Sequence, residues 1–124
     1  MENKEIFDNH KCNCIAFLNQ KGIQEMEEYQ FENYTENMYV ETLSYKEAES
    51  IYMQIFNEFN TKFDLLIDYF EEEDLPSEKL SDAEKIVSNF LNSEITEEQK
   101  SAGEKVLRAI QKAIECETYV CFEF

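Results

Sequence analysis

Residues 44–74 read SYKEAESIYMQIFNEFNTKFDLLIDYFEEED. Ser44-Tyr45-Lys46-Glu47 has the capping-box pattern, a hydroxyl residue followed three positions later by Glu. Behind it, Ala48, Ile51, Tyr52, Ile55, Phe56, Phe59, Phe63, Leu66, Ile67 and Phe70 recur in steps of three and four. This spacing predicts one helix from about Tyr45 to about Glu72, ~40 Å long at ~1.5 Å per residue. Its aromatic stripe reads as core. Pro76 is expected to enforce its end, since proline lacks the N–H that a helix needs.

Two further helices follow from the same kind of signal. Ser81-Asp82-Ala83-Glu84 repeats the capping-box pattern ahead of Ile86, Val87, Phe90 and Leu91. Thr96-Glu97-Glu98-Gln99 opens a helix to about Glu115, with Ala102, Val106, Ala109, Ile110, Ala113 and Ile114 expected inward. The stretch Thr118–Phe124 turns β-branched and aromatic, as a strand does. Upstream, Tyr29–Asn33 and Met38–Leu43 could pair as a hairpin around Tyr34–Asn37. Cys12–Leu18 reads either as a strand or as a helix ended by Gly22. The expected fold is α+β. Three helices, the long one at about 45–72, pack on a small antiparallel sheet that includes the C-terminal strand. At 124 residues, one domain over 1–124 is expected.

Charge then narrows the function. The chain has 28 acids against 11 basic residues, a net charge of −17. Direct nucleic-acid binding is excluded, because neutralising phosphates supplies most of that affinity. An anionic membrane surface repels the chain for the same reason. Ten Phe and seven Tyr argue against a disordered acidic tail. No apolar run approaches the ~18 residues that span a bilayer, and MENKEIFDNHK has no apolar signal core. A cytoplasmic protein with reduced cysteines is expected.

Few residues offer catalytic chemistry. Gly22 and Gly103 stand alone, so no glycine-rich loop cradles a phosphate, and no EF-hand loop is present. His10 is the only histidine, and beside Cys12 it is expected in a mobile arm, without the rigid scaffold a nucleophile pair needs. Cys12, Cys14, Cys116 and Cys121 are spaced Cys-x-Cys and Cys-x4-Cys, unlike paired zinc knuckles. They read as core thiols. The expectation is no enzyme, no cofactor and no metal.

What stands out is charge density on an ordered scaffold. Residues 23–74 hold fifteen acids and two lysines, −13 of the total −17. On the expected helix, Asp64, Asp68 and Glu72 follow at i,i+4, ~6 Å apart along the axis, near every second phosphate of a DNA strand at ~3.4 Å rise. The run Glu71-Glu72-Glu73-Asp74 would sit at a helix C-terminus, where the macrodipole disfavours anions. Glu25, Glu27, Glu28, Glu32 and Glu36 lie among Tyr29 and Tyr34, tyrosine being enriched at interfaces. These acids and tyrosines, with Asp64 to Asp74, form the expected partner-binding set. In composition the chain resembles the nucleic-acid mimics that phages and mobile elements deploy against restriction or CRISPR nucleases. That likeness implies a small acidic inhibitor that binds and blocks a basic nucleic-acid-binding protein. The alternatives are an immunity protein against a cationic nuclease toxin and a non-catalytic adaptor or assembly subunit whose acidity only keeps it soluble. Oligomeric state is left open.

Overall fold

A computed structural model describes residues 9–29 and 34–124, apart from the Tyr29 side chain. Strand β1 (Lys11–Phe17) resolves the ambiguity of its segment in favour of a strand. It pairs antiparallel with β2 (Met38–Ser44) on one side and with β4 (Val120–Glu123) on the other, and β3 (Glu72–Leu75) pairs antiparallel with β4. The strand order is β2-β1-β4-β3.

Successive residues of a strand face opposite sides of the sheet, and β1 is apolar on both. Cys12, Cys14 and Ala16 join Leu43, Val120, Phe122 and Phe124 under the main helical layer. Ile15 and Phe17 face the other way, into a smaller core with Met26, Met38 and Cys121. The main layer holds α2 (45–63), α3 (Leu80–Leu91) and α4 (Glu97–Cys116). The smaller core lies beneath α1 (Gln20–Tyr29), the helix that carries Met26. The described residues therefore form four helices, not three, and they occupy both faces. The expected hairpin is replaced as well: Tyr29 ends α1, residues 30–33 lie outside the described residues, and β2 pairs with β1. Gly22 belongs to the interior of α1. A Cβ there would come within 2.3 Å of the Asn37 carbonyl oxygen, so only glycine lets the helix meet the turn before β2.

Two capping boxes form as the sequence indicates. Ser44 Oγ accepts from Glu47 N–H while Glu47 accepts from Ser44 N–H, and Thr96 and Gln99 do the same. The Ser81 box does not form. Pro76 accepts from Lys79 N–H at 3.0 Å, so a 3-10 turn leads directly into α3 and Ser81 lies within the helix. Leu80, 3% exposed, pulls that start inward. Ile114 of α4 is more open than expected, at 39% exposure.

Helix α2 departs most from expectation. Residues Tyr45–Ile51 and Asn57–Phe63 are α-helical, and Tyr52–Phe56 between them is a π-helical turn in which Asn57 N–H reaches Tyr52 O. The extra residue lets the adjacent Ile55 and Phe56 both enter the core alongside Ile51 and Phe59. The helix stops at Phe63. Asp64 takes the left-handed conformation (φ 57°, ψ 48°), and both Asp64 and Leu65 N–H bond back to Asn60 O. The Asn60 side chain then grips Ile67: Oδ1 accepts from Ile67 N–H at 2.8 Å, and Nδ2 donates to Ile67 O at 3.0 Å. Tyr52 Oη donates to the same carbonyl at 2.7 Å. The chain folds back over the helix end, burying Leu65 and Ile67 and leaving Leu66 and Phe70 exposed at 75% and 59%.

Two substitutions test this ending. Asn60→Ala strands the Ile67 main-chain groups and is expected to lower stability by about 1–3 kcal/mol in urea denaturation. Asp64→Gly relieves a left-handed residue, so stability should hold or rise; a loss of about 1 kcal/mol, the cost of glycine inside a helix, would mean that α2 continues.

Candidate functional site

The second face of the sheet has two halves. Ile15, Phe17 and Met38 are buried with Met26 of α1, while Asn13, Thr42, Glu123, Glu72 and Asp74 share the polar remainder. The β3–β4 register sets Glu72 directly across from Glu123, and Asp74 across from Cys121. Like charges in that relation destabilise a sheet.

Glu123 sits at the centre of a small network. Tyr34 Oη donates to its Oε1 at 2.6 Å, and Asn13 Nδ2 donates to Tyr34 Oη at 2.9 Å and to Oε1 at 3.3 Å. Thr42 Oγ1 in turn donates to Asn13 Oδ1 at 2.8 Å. The other carboxylate oxygen, Oε2, is buried and finds no hydrogen-bond partner among the described residues. One carboxylate oxygen each of Glu72 and Asp74, and Cys121 Sγ, lie within 4.8 Å of one another. This is a possible metal-ligand set in a chain whose cysteine spacing suggested none.

The electrostatics follow from this crowding. Partial burial, then the charges of Asp74, Glu123 and Glu73, push the Glu72 carboxyl above its ordinary range. Burial also raises Asp74, partly offset by the Cys121 thiol that bonds to it. Burial and the Asp74 charge raise the Cys121 thiol in turn, which disfavours the thiolate.

Two clefts flank Glu72. One, of about 440 Å³, runs between Asp74, Cys121 and Tyr119 on the sheet and Met26 and Glu27 on α1. The other, of about 350 Å³, lies among Glu123, Lys11, His10, Phe70 and Glu71. His10 is held in place, not in a mobile arm. Its carbonyl accepts from Tyr45 N–H, its Nε2 donates to the Phe124 main-chain oxygen, and its ring lies 4.5 Å from that of Phe70. Phe70 itself has φ 64°, a left-handed conformation that a bulky side chain seldom takes.

Comparison with known protein families, curated proteins and solved structures finds no match. No helix of the described residues is long and apolar enough to cross a membrane.

The acids expected to bind a partner separate into groups. Asp64, Asp68 and Glu72 are exposed but not collinear on a helix: they occupy a helix cap, a loop and a strand, because α2 ends at Phe63. Glu71 and Asp74 are also exposed, whereas Glu73 faces the helical side and accepts from Leu66 N–H at 2.5 Å. Glu25 is structural. It accepts from Asn37 Nδ2 and Thr35 Oγ1, which hold its carboxyl below the ordinary range. Glu27, Glu28 and Glu36 are exposed, with Glu27 lining the larger cleft. Glu32 and the Tyr29 side chain lie outside the described residues. The structure adds Asn13, Tyr119, Cys121 and Glu123. Strand alternation along Thr118–Phe124 was the available signal for placing Tyr119, Cys121 and Glu123 on one face.

All four cysteines are free thiols; Cys12, Cys14 and Cys121 are buried, and burial pushes Cys12 up to about 12. Cys116 is expected to react promptly with a thiol reagent in the native protein, and the other three only on unfolding. Rapid labelling of Cys121 would show that the sheet face opens.

Because Glu72 and Asp74 titrate above their usual range, the folded chain holds protons that the unfolded chain has released. Stability therefore falls as pH rises through that window. Glu72→Gln/Asp74→Asn is expected to match or exceed the parent in thermal melts at about pH 7, with the difference shrinking toward about pH 4. A variant less stable than the parent at neutral pH contradicts this.

Proposed function

We propose that the protein is a non-catalytic acidic inhibitor of the cytosol, one that binds a basic nucleic-acid-handling protein and blocks its nucleic-acid groove. One observation carries the reading. The exposed carboxylates Asp64, Asp68, Glu71, Glu72 and Asp74 crowd one crossing and the strand it feeds, and none of them takes part in an ion pair among the described residues. Charge concentrated this way steers a cationic partner from a distance and competes with phosphates for its surface. A regular phosphate-like ladder on one helix plays no part, since α2 ends before it. Exposed Leu66 and Phe70 within the same crossing supply apolar contact once the partner has arrived.

The test is capture on immobilised protein, with bound proteins identified by mass spectrometry. Basic nucleic-acid-binding proteins, released by raised salt and displaced by added duplex DNA, are the expected result. Partners that resist salt and ignore duplex DNA would favour an adaptor and refute the inhibitor.

A further inference from the structure

We propose that the cleft between the end of α2 and α3 binds a small phosphorylated molecule. Lys62, Lys79 and Lys85 hold the phosphate, and Phe63 and Ile86 carry the organic part. The site lies in the main helical layer and holds whether or not the chain has a basic partner.

Charge runs against the trend of the chain here. Eleven of the 124 residues are basic, yet three of the seven that line this cleft of about 380 Å³ are lysines. Asp82 is the one acid among them, so the lining carries three positive charges against one negative, +2 in a chain of −17. Asp64 and Glu78, close in sequence to Lys62 and Lys79, do not line it. Lys79, Asp82, Lys85 and Asn89 recur in steps of three and four, which sets them along one face of α3 and its cap. Asp82 stands three residues from each of these lysines, yet neither lysine forms an ion pair among the described residues. Lys62 pairs with Glu58 at 3.3 Å, an exposed i,i+4 contact of the kind that contributes little and exchanges readily. In a chain with 28 acids, folding thus gathers ammonium groups around one cleft without matching them, and an anion from outside offsets their repulsion.

Shape and charge narrow the anion. Phe63 and Ile86 both pack against the main core, and the Phe63 ring lies 5.6 Å from that of Phe59, so the apolar floor is set before a ligand arrives. The volume falls within the ~300–1,000 Å³ of small-molecule sites. A phosphate monoester brings about −1.5 to −2 charges and three acceptor oxygens, which suits three lysines that each offer a point charge and three donors. A carboxylate brings one charge. Asn89 adds amide donors. A long polyanion is disfavoured, because its repulsion from the net −17 grows with its own charge, while a single phosphate meets the local +2.

The experiment is an NMR titration of isotope-labelled protein, at constant ionic strength, with phenyl phosphate, inorganic phosphate, benzoate and a tetraglutamate peptide. The expected result is saturable shifts centred on Phe63, Lys79, Lys85 and Asn89, with phenyl phosphate about tenfold tighter than each of the other three. Lys79→Gln/Lys85→Gln should weaken phenyl phosphate about tenfold, and Lys79→Arg/Lys85→Arg should keep most of the affinity. Lys21→Gln/Lys46→Gln removes the same charge at two exposed positions, on α1 and at the start of α2, and should change affinity by about twofold or less. The variants' own spectra report that they fold. Shifts that fail to saturate by about 10 mM phenyl phosphate, or equal loss in the two glutamine variants, would overturn the proposal. Inorganic phosphate or benzoate binding as tightly as phenyl phosphate would do the same, by removing the role of the floor or of the second charge. Tighter binding of the tetraglutamate peptide would reject a small phosphorylated ligand in favour of an acidic protein segment.

Discussion

The grip of the Asn60 amide on the Ile67 main chain decides what the rest of the chain becomes. A primary amide presents one acceptor and two donors, and here one of each pairs with one residue's N–H and carbonyl, as a neighbouring strand would. Tyr52, the first residue of the π-helical turn, adds a third bond. Without that grip, Leu66, Ile67 and Phe70 would be free to extend the helix. With it, the chain reverses at Asp64 and delivers Glu72–Leu75 to the edge of β4. The acidic run is thereby converted from a helix end into a strand, and alternate members face opposite layers.

The sheet tolerates its like charges because the layer behind them is strongly bound. Phe56, Phe59, Phe122 and Phe124 form a ring cluster with centroids 4.8–6.4 Å apart. Burying each such side chain contributes about 1.5–3 kcal/mol. A like-charge cross-strand pair costs roughly 0.2–1 kcal/mol. The apolar term wins by a wide margin, so the carboxylates of β3 and β4 can be held close without endangering the fold.

Much of this was legible in the sequence, and the failures have physical causes. The boxes at Ser44 and Thr96 were readable because both partners of each cap lie within four residues. The C-terminal strand was readable from its β-branched and aromatic residues. The end of α2 was not, because Leu66, Ile67 and Phe70 continue the helical spacing and the left-handed residue is Asp64 where glycine is the usual signal. Gly22 hid α1 by resembling a helix stop, although its missing side chain serves contact with Asn37. At the site, composition revealed the acids but not their company. Asn13, Glu72 and Glu123 meet only through strand register, a long-range pairing that no local pattern encodes.

The two rims of the sheet are guarded by opposite charges. An open strand edge is a template for pairing with another chain, and natural sheets blunt such edges. On the β2 rim, Lys105 of α4 donates to the Thr42 carbonyl at 3.0 Å, and Arg108 pairs with Glu41 at 2.9 Å, so basic side chains close over the strand. The β3 rim is only four residues long, and three of them are Glu72, Glu73 and Asp74. A second copy adding its own β3 there would stack carboxylate on carboxylate. The acidity of this edge therefore keeps identical chains from growing along it into aggregates.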